Sequence, residues 1–360
     1  MISGAGLVIV LTAVLVAVPC ALLGTLLVLR RMSMMGDAIS HAVLPGIVIA
    51  FFISESLGPL ASLVGAGIFG VLAAALVEAL EDTGRVAEDS AIGIVFTALF
   101  ALGVFLISRF ADGVHLDLNH VLYGEIAFAP LNSLFIGDLS LGPRSLWTMG
   151  IVTVLAVGFV LLLYKELKLS TFDPALAAAA GLSPALVHYL LMGAVSVTTV
   201  GAFDSVGAIL VVAFLIVPAA TAYLLTDRLS RMMLLAVVLG AASAVVGYYF
   251  AFLFDVSIAG MMAVAAGTFF ALALLLSPSR GLVAALLRRR ANRRRFSGEL
   301  LVARLGRLGG RAGEDQLARE LGWDEPALRR ALDDARRAGA VRAGSGVVEL
   351  AEPAPGAGRA

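Results

Sequence analysis

The sequence predicts an all-α integral membrane protein: a polytopic helical bundle of eight or nine transmembrane helices, followed by a small cytoplasmic α+β domain. Three observations carry this. Of 360 residues, 60% are hydrophobic and 14% charged, and the mean hydropathy is +0.98, a composition outside the range of soluble domains. Apolar runs near the roughly 20 residues that a helix needs to cross hydrocarbon recur throughout residues 1–279. Charge is segregated. Residues 1–279 hold 9 Lys/Arg against 16 Asp/Glu, and residues 280–360 hold 17 Arg against 10 Asp/Glu, so a net charge of zero hides two parts of opposite sign.

Nine segments qualify or nearly qualify as spans: about 7–29, 37–53, 59–80, 90–110, 146–164, 188–203, 205–225, 232–254 and 258–277. The first is long enough to span and has no small-residue cleavage site, so it reads as a helix that stays in place and not as a signal peptide. Its Cys20 is the only cysteine. A single thiol allows no internal disulfide and no thiolate cluster, and it reads as packing. The second span is short and carries Asp37 and His41. The third contains GAGIFG (65–70) and the eighth GAASAVVG (240–247), small residues that let helices approach closely in lipid. The sixth is short and almost continuous with the seventh, so eight spans with a re-entrant piece stays open. Pro218 inside the seventh is expected to kink it. With the N-terminus outside, the inner connections carry Arg30, Arg31, Arg85, Lys165, Lys168, Arg228 and Arg231, and the outer ones only Arg109 and Arg144. That asymmetry puts the C-terminus in the cytoplasm.

An ionisable pair inside a span needs a reason, because charge in hydrocarbon is costly and such groups usually face a bundle interior or a wetted cavity. Asp37 and His41 are four residues apart in RRMSMMGDAISHAVLPG (30–46), so on a helix they project from one face. Ser33 and Ser40 lie nearby. Pro45 removes a backbone hydrogen bond one turn later and invites a kink, and Gly36 and Gly46 permit a close neighbour. A carboxylate and a neutral imidazole suit a borderline first-row cation. Two ligands bind weakly, which suits a carrier that must release its cargo. The same groups can serve a proton relay. A buried hydrogen bond between helices, or Asp37 capping the helix at the interface, are the plain alternatives.

The stretch RRMSMMGDAISHAVLPG resembles the start of the second helix in the membrane permeases of bacterial ABC importers for manganese, zinc and iron: basic–basic–Met–Ser, then Gly–Asp, then a small residue before His–Ala, then Pro–Gly. VLYGEIAFAP (121–130) is similar to the family's extracellular segment, its Gly-Glu-Ile form typical of the manganese-type branch. FDSVGAILVVAFLIVPAATAYLLT (203–226) resembles the family's most recognisable helix, and STFDPALAAAAGLSP (170–184) falls where the family has its cytoplasmic coupling helix. The resemblance spans about residues 7–280. It implies that Asp37 and His41 contact the metal as it passes. It also implies two permease copies pairing with two cytoplasmic ATPase subunits, and an extracellular metal-binding protein that delivers the cation. Transported Mn2+, Zn2+ or Fe2+ is cargo, with manganese preferred, and no permanently bound cofactor is expected.

The chain lacks its own engine. A Walker A loop needs Gly-Lys-Ser/Thr, and the only lysines are Lys165 after Tyr164 and Lys168 after Leu167. ATP hydrolysis therefore belongs to a partner, and the chain reads as a transport subunit and not an enzyme. The inner loop 165–187 offers a docking site at about 172–182. Asp173 and Pro174 can start a helix there, the alanine run through Ala178 continues it, and Gly181 can end it. Phe172, Asp173, Pro174, Ala178 and Gly181 are the coupling candidates, against the plain reading of an interhelical turn.

Other polar groups are weaker candidates. The outer stretch ADGVHLDLNHVLYGE (111–125) contains Asp112, His115, Asp117, His120 and Glu125. It reads as a solvated loop facing the delivery protein, with Glu125 a metal candidate where the chain turns back towards lipid. Asp204, at an outer helix junction beside Ser205, is a second candidate for the path. His188 reads as interfacial. Met32, Met34 and Met35 read as packing, since thioethers favour copper(I) over manganese.

Residues 280–296 read as a basic juxtamembrane linker. Its RRRANRRRF cluster (288–296) suits anionic headgroups at about 1 kcal/mol per arginine. Residues 297–350 read as helix, helix–turn–helix and hairpin, and resemble a winged-helix domain like those of metal-dependent repressors, with Leu317, Leu321, Leu328 and Leu332 as core. Arg329, Arg330, Arg336 and Arg337 can touch phosphates. Asp333 and Asp334 share their helix, so protein docking or regulation is favoured over nucleic acid. Residues 351–360, rich in Pro, Gly and Ala, are expected to be disordered. The permease reading leaves two rivals: a proton-coupled secondary metal carrier with Asp37 and His41 as its relay, and a membrane-tethered metal-responsive regulator. Neither HExxH nor GxSxG occurs, which disfavours a hydrolase.

Overall fold

Between apolar helices in lipid there is little hydrophobic drive to associate, so close packing of small residues and interhelical hydrogen bonds hold a bundle together. The computed structural model describes residues 4–54, 59–110, 126–136, 139–278, 280–344 and 346–351. The chain divides into two compact units, residues 1–275 and 276–360.

The first unit contains α1 (Gly4–Leu29), α2 (Ser33–Ala42), α3 (Leu44–Ser54), α4 (Pro59–Glu81) and α5 (Glu88–Phe110). A short 3₁₀ turn (Ile126–Phe128) and a hairpin, β1 (Ser133–Ile136) with β2 (Leu139–Pro143), follow. Then come α6 (Arg144–Leu162), α7 (Tyr164–Phe172), α8 (Pro174–Ala179), α9 (Pro184–Val206), α10 (Ala208–Leu225), α11 (Leu229–Phe254) and α12 (Ile258–Leu276). Counting α2 and α3 as one broken span, nine segments of the described residues are long and apolar enough to cross a membrane. The question between eight and nine turns on Gly207. It alone separates α9 from α10, at φ 82°, a left-handed conformation that glycine adopts without strain. Pro218 does not interrupt α10, which runs through it as one helix. The interruptions fall at Gly207 and Val43.

α1 is the central helix. Ala13, Val16, Ala17, Cys20, Ala21, Leu23 and Leu26 are fully buried, and it packs against α6, α9, α10 and α11. Backbones touch where glycine permits. A Cβ on Gly24 would lie 1.7 Å from the Leu215 carbonyl oxygen, and one on Gly247 would lie 2.3 Å from Met262 Cα. Hydroxyls bridge helices: Thr153 Oγ1 donates to the Leu15 carbonyl at 2.7 Å and Ser196 Oγ to the Ala66 carbonyl at 2.7 Å. Each such bond contributes about 0.6–2 kcal/mol in a membrane.

The second unit contains α13 (Leu282–Arg307), β3 (Arg311–Gly313), α14 (Glu314–Leu321), α15 (Glu325–Arg337), β4 (Val341–Gly344) and β5 (Val347–Leu350). The three strands form an antiparallel sheet in the order β3-β5-β4. The expected linker over 280–296 is mostly helix, the first half of α13. Leu317, Leu328 and Leu332 are buried with Leu301, Leu305 and Val348, while Leu321 is half-buried against them. β3 leaves no signal in the sequence, because three residues are too few for an alternation pattern. The tail beyond residue 351 lies outside the described residues.

Candidate functional site

α2 is the most enclosed short element of the first unit, packed among α1, α4, α5, α9 and α10. The enclosure has an atomic basis. Gly36 leaves room for Leu215 of α10, whose Cδ2 would lie 2.0 Å from a Cβ at that position. Gly46 and Gly65 meet backbone to backbone where α3 crosses α4. Met35, Ala38, Ile39 and Ala42 are buried. α2 ends at Ala42 and is capped by Val43, whose N–H still bonds the Ile39 carbonyl at 3.1 Å. Pro45 has no N–H to return to the turn behind it.

Within that enclosure Asp37 and His41 share a face. Asp37 Oδ1 and His41 Nε2 are 3.8 Å apart, with the side chains 46% and 31% exposed respectively. The separation exceeds a hydrogen bond. Yet a first-row cation bonding each atom at about 2.1 Å can touch both at once. The pair is neither a closed contact between helices nor a helix cap, since Asp37 is the fifth residue of α2. Two aromatic rings of α5 flank the imidazole: Phe96 at 6.0 Å between centroids, tilted, and Phe100 at 5.7 Å, edge-on. Sequence reasoning missed these rings, although their spacing of four on the fourth span is the signal that would have placed both on one face. Ser40 is buried and donates to the Gly36 carbonyl at 2.7 Å, so its proton is already committed. Met35 and Met32 pack into the core and Met34 is exposed.

Asp204 is exposed in the last turn of α9, just before Gly207, and neighbouring Ser205 is buried. Among the described residues no three His, Cys, Asp or Glu side chains cluster at metal-binding spacing, so Asp204 does not join the pair. Glu125, Asp112, His115, Asp117 and His120 lie outside the described residues. His188 stacks edge-on against Tyr189 at 5.5 Å, and the Tyr189 hydroxyl donates to Glu78 of α4.

The stretch after α6 is more structured than a loop. α7 breaks at Asp173, whose Oδ1 accepts the Leu176 N–H at 2.9 Å and caps α8, with Pro174 in the first turn. α8 closes with Gly181 at φ +84°, the Gly181 N–H on the Ala178 carbonyl at 3.0 Å and the Leu182 N–H on the Ala177 carbonyl at 3.0 Å. That is a Schellman ending. Ala177 faces inward, while Phe172 and Leu176 are 59% and 53% exposed. Arg30, in the turn between α1 and α2, holds α7: its Nη2 donates to Ser170 Oγ at 2.8 Å and its Nε to Thr171 Oγ1 at 3.1 Å.

In the second unit the four arginines of α15 are exposed and make local contacts. Arg329 pairs with Glu325, Arg337 reaches Asp334 at 3.6 Å, and Arg330 Nε donates to the Pro326 carbonyl at 2.9 Å. Arg336 is also engaged.

Residues 7–277 match the ABC 3 transport family. The chain is 50% identical over 280 residues to the manganese transport system membrane protein MntD of Bacillus subtilis, covering 78% of this chain and 95% of that one. It is 48% identical over 275 residues to the zinc transport system membrane protein TroD of Treponema pallidum, covering 76% and 75%. Among solved structures, PsaBC from Streptococcus pneumoniae in complex with Fab aligns with a TM-score of 0.64 at 32% identity, over 77% of this chain and 94% of that one.

Proposed function

Because the chain belongs to the ABC 3 transport family, which its residues 7–277 match, we propose that it is the membrane-spanning permease of an ABC importer that carries a divalent transition metal into the cytoplasm. Manganese is the first cargo, zinc the next and iron the third. The names of the relatives support the first two, and ligand chemistry alone the third. The observation that carries the reading is the 3.8 Å spacing of Asp37 and His41 on a broken span. One carboxylate and one neutral imidazole hold a borderline cation loosely enough to let it go.

The broken span suits that task. α2 and α3 together run Ser33–Ser54, so the interruption at Val43 falls near the middle of that span. Val43 keeps right-handed helical geometry and its carbonyl still accepts the Ile47 N–H at 3.1 Å, so the span bends there without unwinding. We orient the N-terminus outside, as the excess of Lys/Arg on the opposite connections requires. Asp204 then stands at the outer mouth, beside the Gly207 turn, as a first contact for an arriving cation. Glu125, outside the described residues, is assigned to metal capture on its chemistry alone. A cytoplasmic ATPase subunit docks on α8, with exposed Phe172 and Leu176 as its contacts and Asp173, Pro174, Ala178 and Gly181 shaping the helix. An extracellular metal-binding protein delivers the cargo, and two copies of this chain form the channel. For the second unit, which we read as winged-helix-like, we favour a protein contact or regulation of transport, because Asp333 and Asp334 share α15 with its four arginines.

ATP-dependent uptake of manganese into vesicles holding the chain and its ATPase tests the reading, alongside cellular metal content with and without the gene. Uptake that follows a pH gradient and ignores ATP would replace it with the proton-coupled carrier.

A further inference from the structure

We propose that Arg30 is the positioning residue that couples the ATPase-docking helix to the metal-bearing helix, by clasping the end of α7 from the turn that launches α2. The inference rests on the transport reading above. Its basis is a juxtaposition that sequence distance hides. Arg30 follows the last residue of α1, and Ser33 opens α2 three positions later. Between them the chain turns tightly. The Arg30 N–H bonds the Leu26 carbonyl at 3.0 Å, the Met32 N–H bonds the Leu27 carbonyl at 3.0 Å, and Arg31 takes φ 64°. A turn this constrained passes a displacement on to α2 and does not absorb it.

The far end of the clasp is equally specific. Ser170 and Thr171 are the last residues before Phe172 and the Asp173 break, so they sit at the root of α8. Ser170 is buried, and its hydroxyl also contacts the Leu167 carbonyl at 3.4 Å. Nη2 and Nε of one planar guanidinium address two neighbouring hydroxyls together, a two-pronged contact that a lysine ammonium cannot reproduce. Burial pushes the Arg30 guanidinium below the usual arginine range, although it stays charged. Among the described residues its hydrogen bonds go to neutral hydroxyls and not to a carboxylate. A desolvated cation held by neutral acceptors is bound firmly enough to transmit a pull. It is also bound weakly enough to be remade in each cycle, whereas losing one partner of a buried ion pair is far more costly. Asp37 follows seven residues on along the same rigid segment, so a shift of α8 under the ATPase reaches the metal ligands through one side chain.

The experiment uses the complete transporter in proteoliposomes, supplied with manganese. It compares Arg30→Gln, Arg30→Lys and the double variant Ser170→Ala/Thr171→Val, reading ATP hydrolysis and metal uptake in the same vesicles. The double variant leaves the arginine in place and removes only its acceptors, so it separates coupling from folding. Expected is basal ATP hydrolysis close to wild type, with manganese taken up per ATP reduced about ten-fold in Arg30→Gln and in the double variant. The manganese concentration for half-maximal uptake should not change, and Arg30→Lys should recover part of the loss. An unchanged ratio of uptake to hydrolysis in the double variant overturns the inference, and so does parallel loss of both activities. A wild-type complex that takes up no manganese sinks the transport reading, and this inference with it.

Discussion

Gly46 and Gly65 stand so close that neither position has room for a side chain. A Cβ on Gly46 would lie 2.4 Å from the Gly65 carbonyl oxygen and 2.8 Å from Phe69 Cδ2, and a Cβ on Gly65 would lie 2.4 Å from the Gly46 carbonyl oxygen. This crossing of α3 on α4 lies just past the break at Val43, so it anchors the half-span that continues from the Asp37–His41 helix. Gly46→Val is expected to lower stability by about 1–3 kcal/mol, the usual cost of overpacking, read as earlier thermal unfolding in detergent. Gly150 of α6 is the control. Nothing lies within 4 Å of its would-be Cβ, and Gly150→Ala should be neutral or stabilising by up to about 1 kcal/mol.

The metal pair makes the sharpest functional prediction. Asp37→Ala and His41→Ala should each cut manganese uptake at least about 100-fold, beyond the 10–100-fold that loss of a partner outside the ligand sphere costs. Both side chains are partly exposed, so both variants should insert and unfold at temperatures close to wild type. Normal uptake by either variant would show that the path runs elsewhere.

Phe100 gives a graded version of the same test. Its edge-on contact holds the His41 ring, and an aromatic pair of this kind contributes about 0.5–1.5 kcal/mol. Phe100→Ala should therefore weaken uptake at limiting manganese by about 2- to 12-fold, by the same energy converted through RT. Phe100→Leu should do less harm. Concentration-dependent initial rates check this. An effect confined to the maximal rate, with no change in apparent affinity, would argue against ring positioning.

The docking helix should separate binding from folding. Phe172→Glu and Leu176→Glu change exposed positions, so the permease should stay intact while the ATPase no longer co-purifies. Asp173→Ala removes the cap on the Leu176 N–H at about 1 kcal/mol, and retention of the ATPase should weaken without vanishing. Full retention by both glutamate variants would place the docking surface elsewhere.

For the second unit, residues 290–360 should bind duplex DNA no more tightly than non-specific contacts allow, about 10⁻⁴ to 10⁻⁶ M, in a gel-shift titration. Asp333 and Asp334, on the same helix as the four arginines, are the reason, since they repel phosphate where the arginines would attract it. A sequence-dependent shift well below that range would restore the regulator reading.

Spans, their number to within one, and the family followed from composition and motif, because lipid demands long apolar helices whatever their neighbours. The pairing of Asp37 with His41 also followed, since four residues is one helical turn. So did the start and end of α8, where Asp173, Pro174 and Gly181 act within a few residues of chain. What stayed hidden depends on residues far apart in sequence. Phe96 and Phe100 flank His41, Leu215 fits against Gly36, Gly46 meets Gly65, and Arg30 reaches Ser170 across 140 positions. Local periodicity decides that a helix forms and which residues share its face. Only the packed bundle decides which face meets which, because that choice depends on the fit of side chains into glycine notches and on hydrogen bonds between segments that no local pattern connects.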